Sequence, residues 1–284
     1  MILKDNITGV QHLGIPVADL KKTIAFYKDN LGFELIHQKT VFNPGKIDAA
    51  FLKQGDMVLE CYQLSGEELE EVAGRKDGLL DHFAIAAPNL DEECEKARVK
   101  GVRLHASSLD GIKDYPTLGR NGVRGVNFVG PNKEVIELCQ DNNVPQKAEN
   151  GLQGWSHLAI KVLDLQESRR FYEKIGFEVS DTGYVDTPEG RMEILFMVLK
   201  GFMLELIQPV GSGMEELRTR GAGHIDHIAL DVQDIEDAFA EAERCGFRSL
   251  DAAVQELPFF EHGVRFFTIC GPGGEKVEFN QIVK

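Results

Sequence analysis

Short apolar runs interrupted by one polar residue recur along this chain in a fixed order. GVQHLGIPV, DHFAI, GWSHLAIKV and DHIAL each hold a single histidine within an apolar stretch. Runs of this length and patterning predict strands. The joints VADL, APNL, VLDL and VQDI follow them. Asp19, Asn89, Asp164 and Asp234 are therefore expected helix N-caps, whose side-chain oxygens accept N–H groups of the first turn. Each helix is expected to stop at Gly32, Gly101, Gly176 or Gly246, because glycine tolerates the left-handed conformation past a helix end. Three strands should follow, the last reading MVLECYQ, VIELCQ, FMLELIQ or KVEFNQ. The pattern is β-α-β-β-β, four times over.

A longer repeat overlies the short one. GVQHLGIPVADLKKTIAFYKDNLGFEL returns as GWSHLAIKVLDLQESRRFYEKIGFEV, an offset of 145 positions shared by His12 and His157, Glu60 and Glu205, and His82 and His227. Glu137 and Glu278 are offset by 141, because the first half has four extra residues near Ser107 to Gly119. The polar, aperiodic stretch between the repeats reads as a linker. The predicted organisation is one domain at 1–142 (modules 9–65 and 79–141), a linker at 143–153, and a second domain at 154–284 (modules 154–210 and 223–282).

Composition narrows the partners. A formal charge of −15 opposes binding to nucleic acid or anionic membrane. The acidic run at Glu67 to Glu71 reads as a solvated helix or loop. No apolar run reaches the roughly 20 residues a membrane-spanning helix needs, and MILKDNITGV lacks a signal-peptide pattern. Five scattered cysteines form no C-x-x-C pair, so a reduced, cytoplasmic protein is expected.

The candidate chemistry lies on the strands. His12, His82, His157 and His227 sit on first strands, and Glu60, Glu137, Glu205 and Glu278 interrupt apolar last strands. A carboxylate in such a place is costly to bury unless it is paired or bound to metal. Two imidazoles and two carboxylates suit Zn, Ni, Co, Mn or Fe as a divalent ion. Each half is expected to carry its own set for one ion. His37, His105, His224 and His262 do not recur between the halves and read as surface or supporting residues. Asp48 and Glu193 read as surface strand carboxylates or second proton-transfer groups. Arg124 and Arg265 read as holders of an anionic substrate tail or as structural ion pairs. Cys139, two residues after Glu137, shares its strand face. Phe26–Tyr27 and Phe171–Tyr172 read as core packing.

The spacing H-x(6)-DL-x(5)-FY-x(4)-G-F from His12 to Phe33 resembles the vicinal oxygen chelate superfamily, which includes glyoxalase I, methylmalonyl-CoA epimerase, extradiol dioxygenases and drug-resistance proteins. The second half departs slightly, with one residue fewer before Gly176. The resemblance implies an α+β fold in which four βαβββ modules pair into two cup-shaped mixed β-sheets, each module donating one first-strand and one last-strand ligand. Whether module 1 pairs with module 2 or with module 4 is left open. The implied activity is that of a metal-dependent glyoxalase-like lyase or isomerase. It would shift a proton beside a metal-chelated carbonyl through an enediolate, on a small-molecule substrate with adjacent oxygens. Glu137 and Glu278 are the first candidates for the catalytic base, with Glu60 and Glu205 as their partners. ELIQPVG and the Asp81–His82 and Asp226–His227 pairs are similar to methylmalonyl-CoA epimerase. An extradiol-type dioxygenase would use His157, His227 and Glu278 as its triad, and a drug-binding resistance protein needs no ligand set. Four modules in one chain allow a monomer or a homodimer.

Overall fold

Backbone hydrogen bonds join the two ends of the chain: the strand Ile7–Pro16 runs antiparallel to His227–Val232. The computed structural model describes residues 3–145 and 148–283. Gln146 and Lys147, within the expected linker, and the outermost residues 1, 2 and 284 of the expected domains lie outside the described residues.

After a one-turn α1 (Leu3–Asn6), the first module runs β1 (Ile7–Pro16), α2 (Leu20–Leu31), β2 (Glu34–Phe42), β3 (Lys46–Gln54) and β4 (Met57–Gln63). The acidic run becomes α3 (Glu67–Gly74), and the second module follows as β5 (Leu80–Ala86), α4 (Leu90–Val99), β6 (Lys113–Tyr115), β7 (Val123–Val129) and β8 (Val135–Asp141). The third has β9 (Trp155–Lys161), α5 (Leu165–Ile175), β10 (Glu178–Thr187), β11 (Gly190–Leu199) and β12 (Phe202–Gln208). Past α6 (Ser212–Leu217), the fourth comprises β13 (His227–Val232), α7 (Ile235–Arg244), β14 (Arg248–Ser249), β15 (Gln255–Leu257), β16 (Val264–Cys270) and β17 (Lys276–Ile282).

Three of the four expected caps form. Asp19, Asp164 and Asp234 accept the N–H groups of Lys22, Glu167 and Asp237 at 3.0, 2.8 and 3.0 Å. Asn89 occupies the same place without capping; its amide donates to Glu92 instead. The strand after the helix is continuous in modules 1 and 3 but broken in modules 2 and 4. Leu104 makes an isolated bridge to Phe128 before β6, and β14 and β15 are separate pieces against β16.

Two mixed sheets result among the described residues, ordered β14-β16-β17-β13-β1-β4-β3-β2, with β15 also on β16, and β10-β11-β12-β9-β5-β8-β7-β6. The first holds modules 1 and 4, and the second holds modules 2 and 3. The sequence repeat divides the chain at its middle, whereas the sheets divide it into an outer and an inner pair. At each sheet's centre two first strands pair antiparallel, and each is flanked in parallel by its own module's last strand.

One apolar core runs through both sheets and the helices between them. Within it Tyr27 and Tyr172 are fully buried, and each hydroxyl donates to a buried carboxylate of the next module, Glu134 at 2.5 Å and Glu275 at 3.2 Å. Burial pushes the Glu134 carboxyl up to about 7. Two smaller apolar clusters line the concave faces. No helix among the described residues is long and apolar enough to cross a membrane.

Candidate metal centres

Sheet pairing decides which ligand candidates meet. In the outer sheet His12 faces Ala229 and Gly14 faces His227, so the two imidazoles lie two residues out of register across adjacent strands. Glu60 lies beside Gly14 and Glu278 beside Ala229. The inner sheet repeats this, with His82 facing Ala159, Ala84 facing His157, and Glu205 and Glu137 beside those alanines. A small residue two places after each histidine thus makes room for its partner ligands. At Gly14 the need is acute, since a Cβ there would lie 2.0 Å from the His227 ring.

All eight side chains are buried, and they form two clusters. In the outer centre His12 Nε2 lies 3.0 Å from His227 Nε2, 3.1 Å from Glu60 and 3.8 Å from Glu278. His227 Nε2 is 3.7 Å from Glu60 and 3.9 Å from Glu278. In the inner centre His82 Nε2 lies 3.2 Å from His157 Nε2, 3.2 Å from Glu137 and 3.7 Å from Glu205, which is 3.4 Å from His157. Ligand atoms about 2.1 Å from one ion stand roughly 3.0 Å apart at right angles and about 3.4 Å apart at tetrahedral angles. His12, Glu60 and His227, and likewise His82, His157 and Glu205, bring one ligand atom each within 4.8 Å of the others and approach that spacing on slight contraction, while Glu278 and Glu137 adjoin these trios through the imidazoles.

The expectation of one complete set per half is thereby corrected. Each cluster takes two residues from either half, because modules 1 and 4 share one sheet and modules 2 and 3 the other. The dioxygenase triad is also corrected. His157 belongs to the inner cluster, while His227 and Glu278 belong to the outer.

Surrounding groups orient the imidazoles. Asp81 accepts from His82 Nδ1 at 3.1 Å and Asp226 from His227 Nδ1 at 3.2 Å, which directs both Nε2 atoms into the clusters. Lys161 and Arg220 hold Asp81, and Arg75 and Lys276 hold Asp226. His12 Nδ1 bonds Gln11, whose amide reaches Asn280, and Asn280 donates to Glu278 at 2.8 Å. Burial alone would make His82 and His227 hard to protonate; their hydrogen-bonded and neighbouring carboxylates prevail and push them up to about 10 and about 9. Burial lowers His157 to about 4 and raises Glu205 to about 8. Such an array needs added positive charge, from protons or from a cation.

The space beside the two centres differs. A cavity of about 380 Å³ is lined by all four inner ligands together with Tyr115, Leu118, Cys139, Phe196 and others. Around the outer centre the space is divided. About 320 Å³ borders Glu60, His227 and Glu278, and a separate 40 Å³ borders His12; Leu257, Phe259 and Phe266 line both. Phe260 in the same loop takes a left-handed φ of 57°, unusual for a bulky residue, and stacks on His37 at 4.6 Å.

The remaining candidates find definite places. His105 lines the inner cavity, and His37 packs between Phe51 and Phe260 at the outer one, so neither is a plain surface residue. His224 is buried 3.8 Å from Asp77, and His262 is exposed. Arg124 pairs with Asp91 and Asp114, and Arg265 with Glu236 and Glu256, which makes both structural ion pairs. Asp48 is held by Thr40 and Lys46 at the sheet margin, and Glu193 is exposed. Cys139 is buried and lines the inner cavity.

Fold and side-chain geometry define a tandem βαβββ protein with two candidate metal-ligand clusters. Two models of the Glyoxalase/Bleomycin resistance protein/Dioxygenase superfamily match residues 9–137 and 156–267, and the chain belongs to that superfamily. It is 24% identical to lactoylglutathione lyase of Schizosaccharomyces pombe over 288 residues, covering 88% of this chain and 91% of that one. It is 32% identical to mitochondrial methylmalonyl-CoA epimerase of Homo sapiens over 132 residues, 44% of this chain and 72% of that one. The crystal structure of glyoxalase I from Zea mays shares the fold, with a TM-score of 0.71 and 20% identity over 98% of this chain and 94% of that one.

Proposed function

We propose that this chain is a divalent-metal-dependent lyase or isomerase of the glyoxalase I type, which shifts a proton beside a carbonyl. The observation that carries the reading is the double convergence of two imidazoles and a carboxylate, with a second carboxylate adjoining each trio, beside cavities of small-molecule size. His82, His157, Glu137 and Glu205 would hold one ion, and His12, His227, Glu60 and Glu278 the other. Zn, Ni, Co, Mn and Fe(II) all suit this donor set. A bound ion supplies Lewis acidity toward a substrate with adjacent oxygens. The chain's own part is to place and move the proton. Glu137 and Glu278 are the proposed bases, with Glu60 and Glu205 as their partners. Glu278 is restrained by Asn280, whereas Cys139, a weaker donor, stands at the corresponding place beside Glu137. Glu137 in turn lies 3.2 Å from His82, so both proposed bases start from a held position. Apolar walls keep water away from the shifted proton.

The similarity to methylmalonyl-CoA epimerase favours a second reading, an epimerase using the same proton shift. Against it, Lys161 and Arg220, the lysine and arginine lining the inner cavity, are already engaged by Asp81 and offer little to the phosphates of a CoA ester. Each cluster is complete within one chain, so monomer and homodimer both suit the function. Five free cysteines fit a cytoplasmic setting. Metal analysis followed by deuterium uptake from D₂O tests the proposal, with hemithioacetals, 2-methyl-acyl-CoA esters and 2-hydroxy-ketones as substrates. Two ions per chain and uptake into a hemithioacetal are expected. Uptake into CoA esters alone would select the epimerase, and no uptake by the metal-loaded chain into any of them would end the proposal.

A further inference from the structure

Two connectors carry the chain between the sheets, one from β4 to β5 through α3 and the other from β12 to β13 through α6. They touch backbone to backbone. A Cβ added to Gly78 in the first would lie 2.6 Å from the Gly223 Cα in the second, and the converse distance is also 2.6 Å. Neither place has room for a side chain. Arg75 and Arg220 flank this contact, and each donates to the other connector's glycine carbonyl, Arg75 to Gly223 at 3.3 Å and Arg220 to Gly78 at 2.9 Å.

The arginines then reach past the contact. Arg75 stands six residues before Asp81 in sequence, yet its guanidinium donates to Asp226 at 3.0 Å. Arg220 stands six residues before Asp226 and donates to Asp81 at 3.4 Å. In each aspartate the arginine takes Oδ1, and Oδ2 faces the Nδ1 of the next histidine. Fixing one carboxylate oxygen fixes the other, so the guanidinium sets the direction from which the imidazole is held and hence where its Nε2 points. Its other grip is on a glutamate of its own connector helix, Glu71 or Glu216. A planar, forked guanidinium can hold both carboxylates at once. The lysines that also touch the aspartates come from unlike places, Lys161 from the end of β9 and Lys276 from the start of β17. Arginine, glycine and aspartate instead recur 145 positions apart, as the histidines do.

We propose that Arg75 and Arg220 are exchanged positioning residues: Arg75 serves the outer centre through Asp226 and His227, and Arg220 serves the inner centre through Asp81 and His82. Each centre draws support from the connector that leads into the other sheet. Nearness in sequence gives the opposite assignment, since Arg75 precedes His82 by seven residues and Arg220 precedes His227 by seven.

The inference rests on the metal-centre reading, and its test separates the two. His157→Ala leaves only the outer centre whole, and His12→Ala only the inner. In each of these chains the affinity for cobalt(II) is measured by competition with a chelating dye, with and without Arg75→Ala or Arg220→Ala. Arg75→Ala is expected to weaken the outer centre by about 10- to 100-fold and to leave the inner unchanged; Arg220→Ala should do the reverse, with losses of this size usual when a partner behind a metal-bound imidazole is removed. The spared centre shows that each arginine variant is folded. Equal weakening of both centres, the mark of an arginine that merely ties the connectors together, would overturn the proposal. So would weakening of neither centre, or of the one nearer in sequence. All three results leave the metal reading intact. If the parent chain takes up no cobalt, the metal reading falls and the inference with it. Should a histidine variant fail to fold, anomalous diffraction from cobalt-soaked crystals of the otherwise intact chain reads the occupancy of each centre with and without the arginine substitution, and Arg75→Gln replaces Arg75→Ala if that variant does not fold.

Discussion

The inner and outer cups come from one repeat and carry the same four ligand types, yet their walls diverge. Around the inner centre a single cavity reaches every candidate ligand and is bordered by a hydrogen-bonded trio, His105 and Ser107 from the loop and Asn127 from β7. At the outer centre aromatic side chains set His12 apart from the main cavity, and an apolar leucine replaces the histidine of the trio. The divergence sits where the strand after the helix is broken, in modules 2 and 4. Freed from continuous pairing, that segment varies without disturbing the ligand-bearing strands beside it. The candidate ligands and the varying cavity wall thus lie on different strands of the same module.

The largest effect should come from the bases. Glu137→Gln is expected to lower turnover by about 10²- to 10⁴-fold, and Glu278→Gln less, because one undivided cavity serves only the inner centre. Steady-state kinetics on both variants decides this, and equal losses would make the cups equivalent. Next is Gly14→Val, whose side chain collides with His227. Bound metal should fall from two ions to one with the inner ion retained, as counted by elemental analysis. Loss of both ions would show that the cups are not independent. Phe259→Ala should join the divided outer space at a cost of about 3 kcal/mol in stability, measurable by denaturant unfolding. It should admit bulkier chelators to the outer centre alone.

The smallest effect concerns the tyrosine–carboxylate pairs. Tyr27→Phe and Tyr172→Phe should each cost about 1 kcal/mol. The Glu134 carboxyl stands at about 7 in the folded chain, above its ordinary value. Its contribution to stability is complete below the ordinary carboxylate range and is lost as pH rises through 7. Stability curves between pH 4 and 8 should show this loss, and Glu134→Gln should flatten it.

Much of this was legible beforehand. The eight candidate ligand positions could be read because each recurs at an offset of 145 or 141 positions, and recurrence of a charged residue in an apolar strand has few other physical causes. The histidine-plus-two small residues, Gly14, Ala84, Ala159 and Ala229, were equally open to view, but their purpose emerges only when opposing strands are paired. Module pairing itself could not be read, since all four modules share the same local signals and their choice of neighbour is made by tertiary packing. The dioxygenase triad failed for that reason. His105 was set aside because no histidine recurs between the halves at its place, where the second half has Leu250.

Nesting one pair of modules inside the other orders the birth of the protein. Modules 2 and 3 leave the ribosome as neighbours, so the inner sheet can close while translation continues. The outer sheet must wait for β13 to emerge and find β1, made at the very beginning, and then for β17 to pair with β13 and β16. A nascent chain would therefore own one finished cup before the other exists, and a truncation near the C-terminus would dismantle the outer centre while sparing the inner.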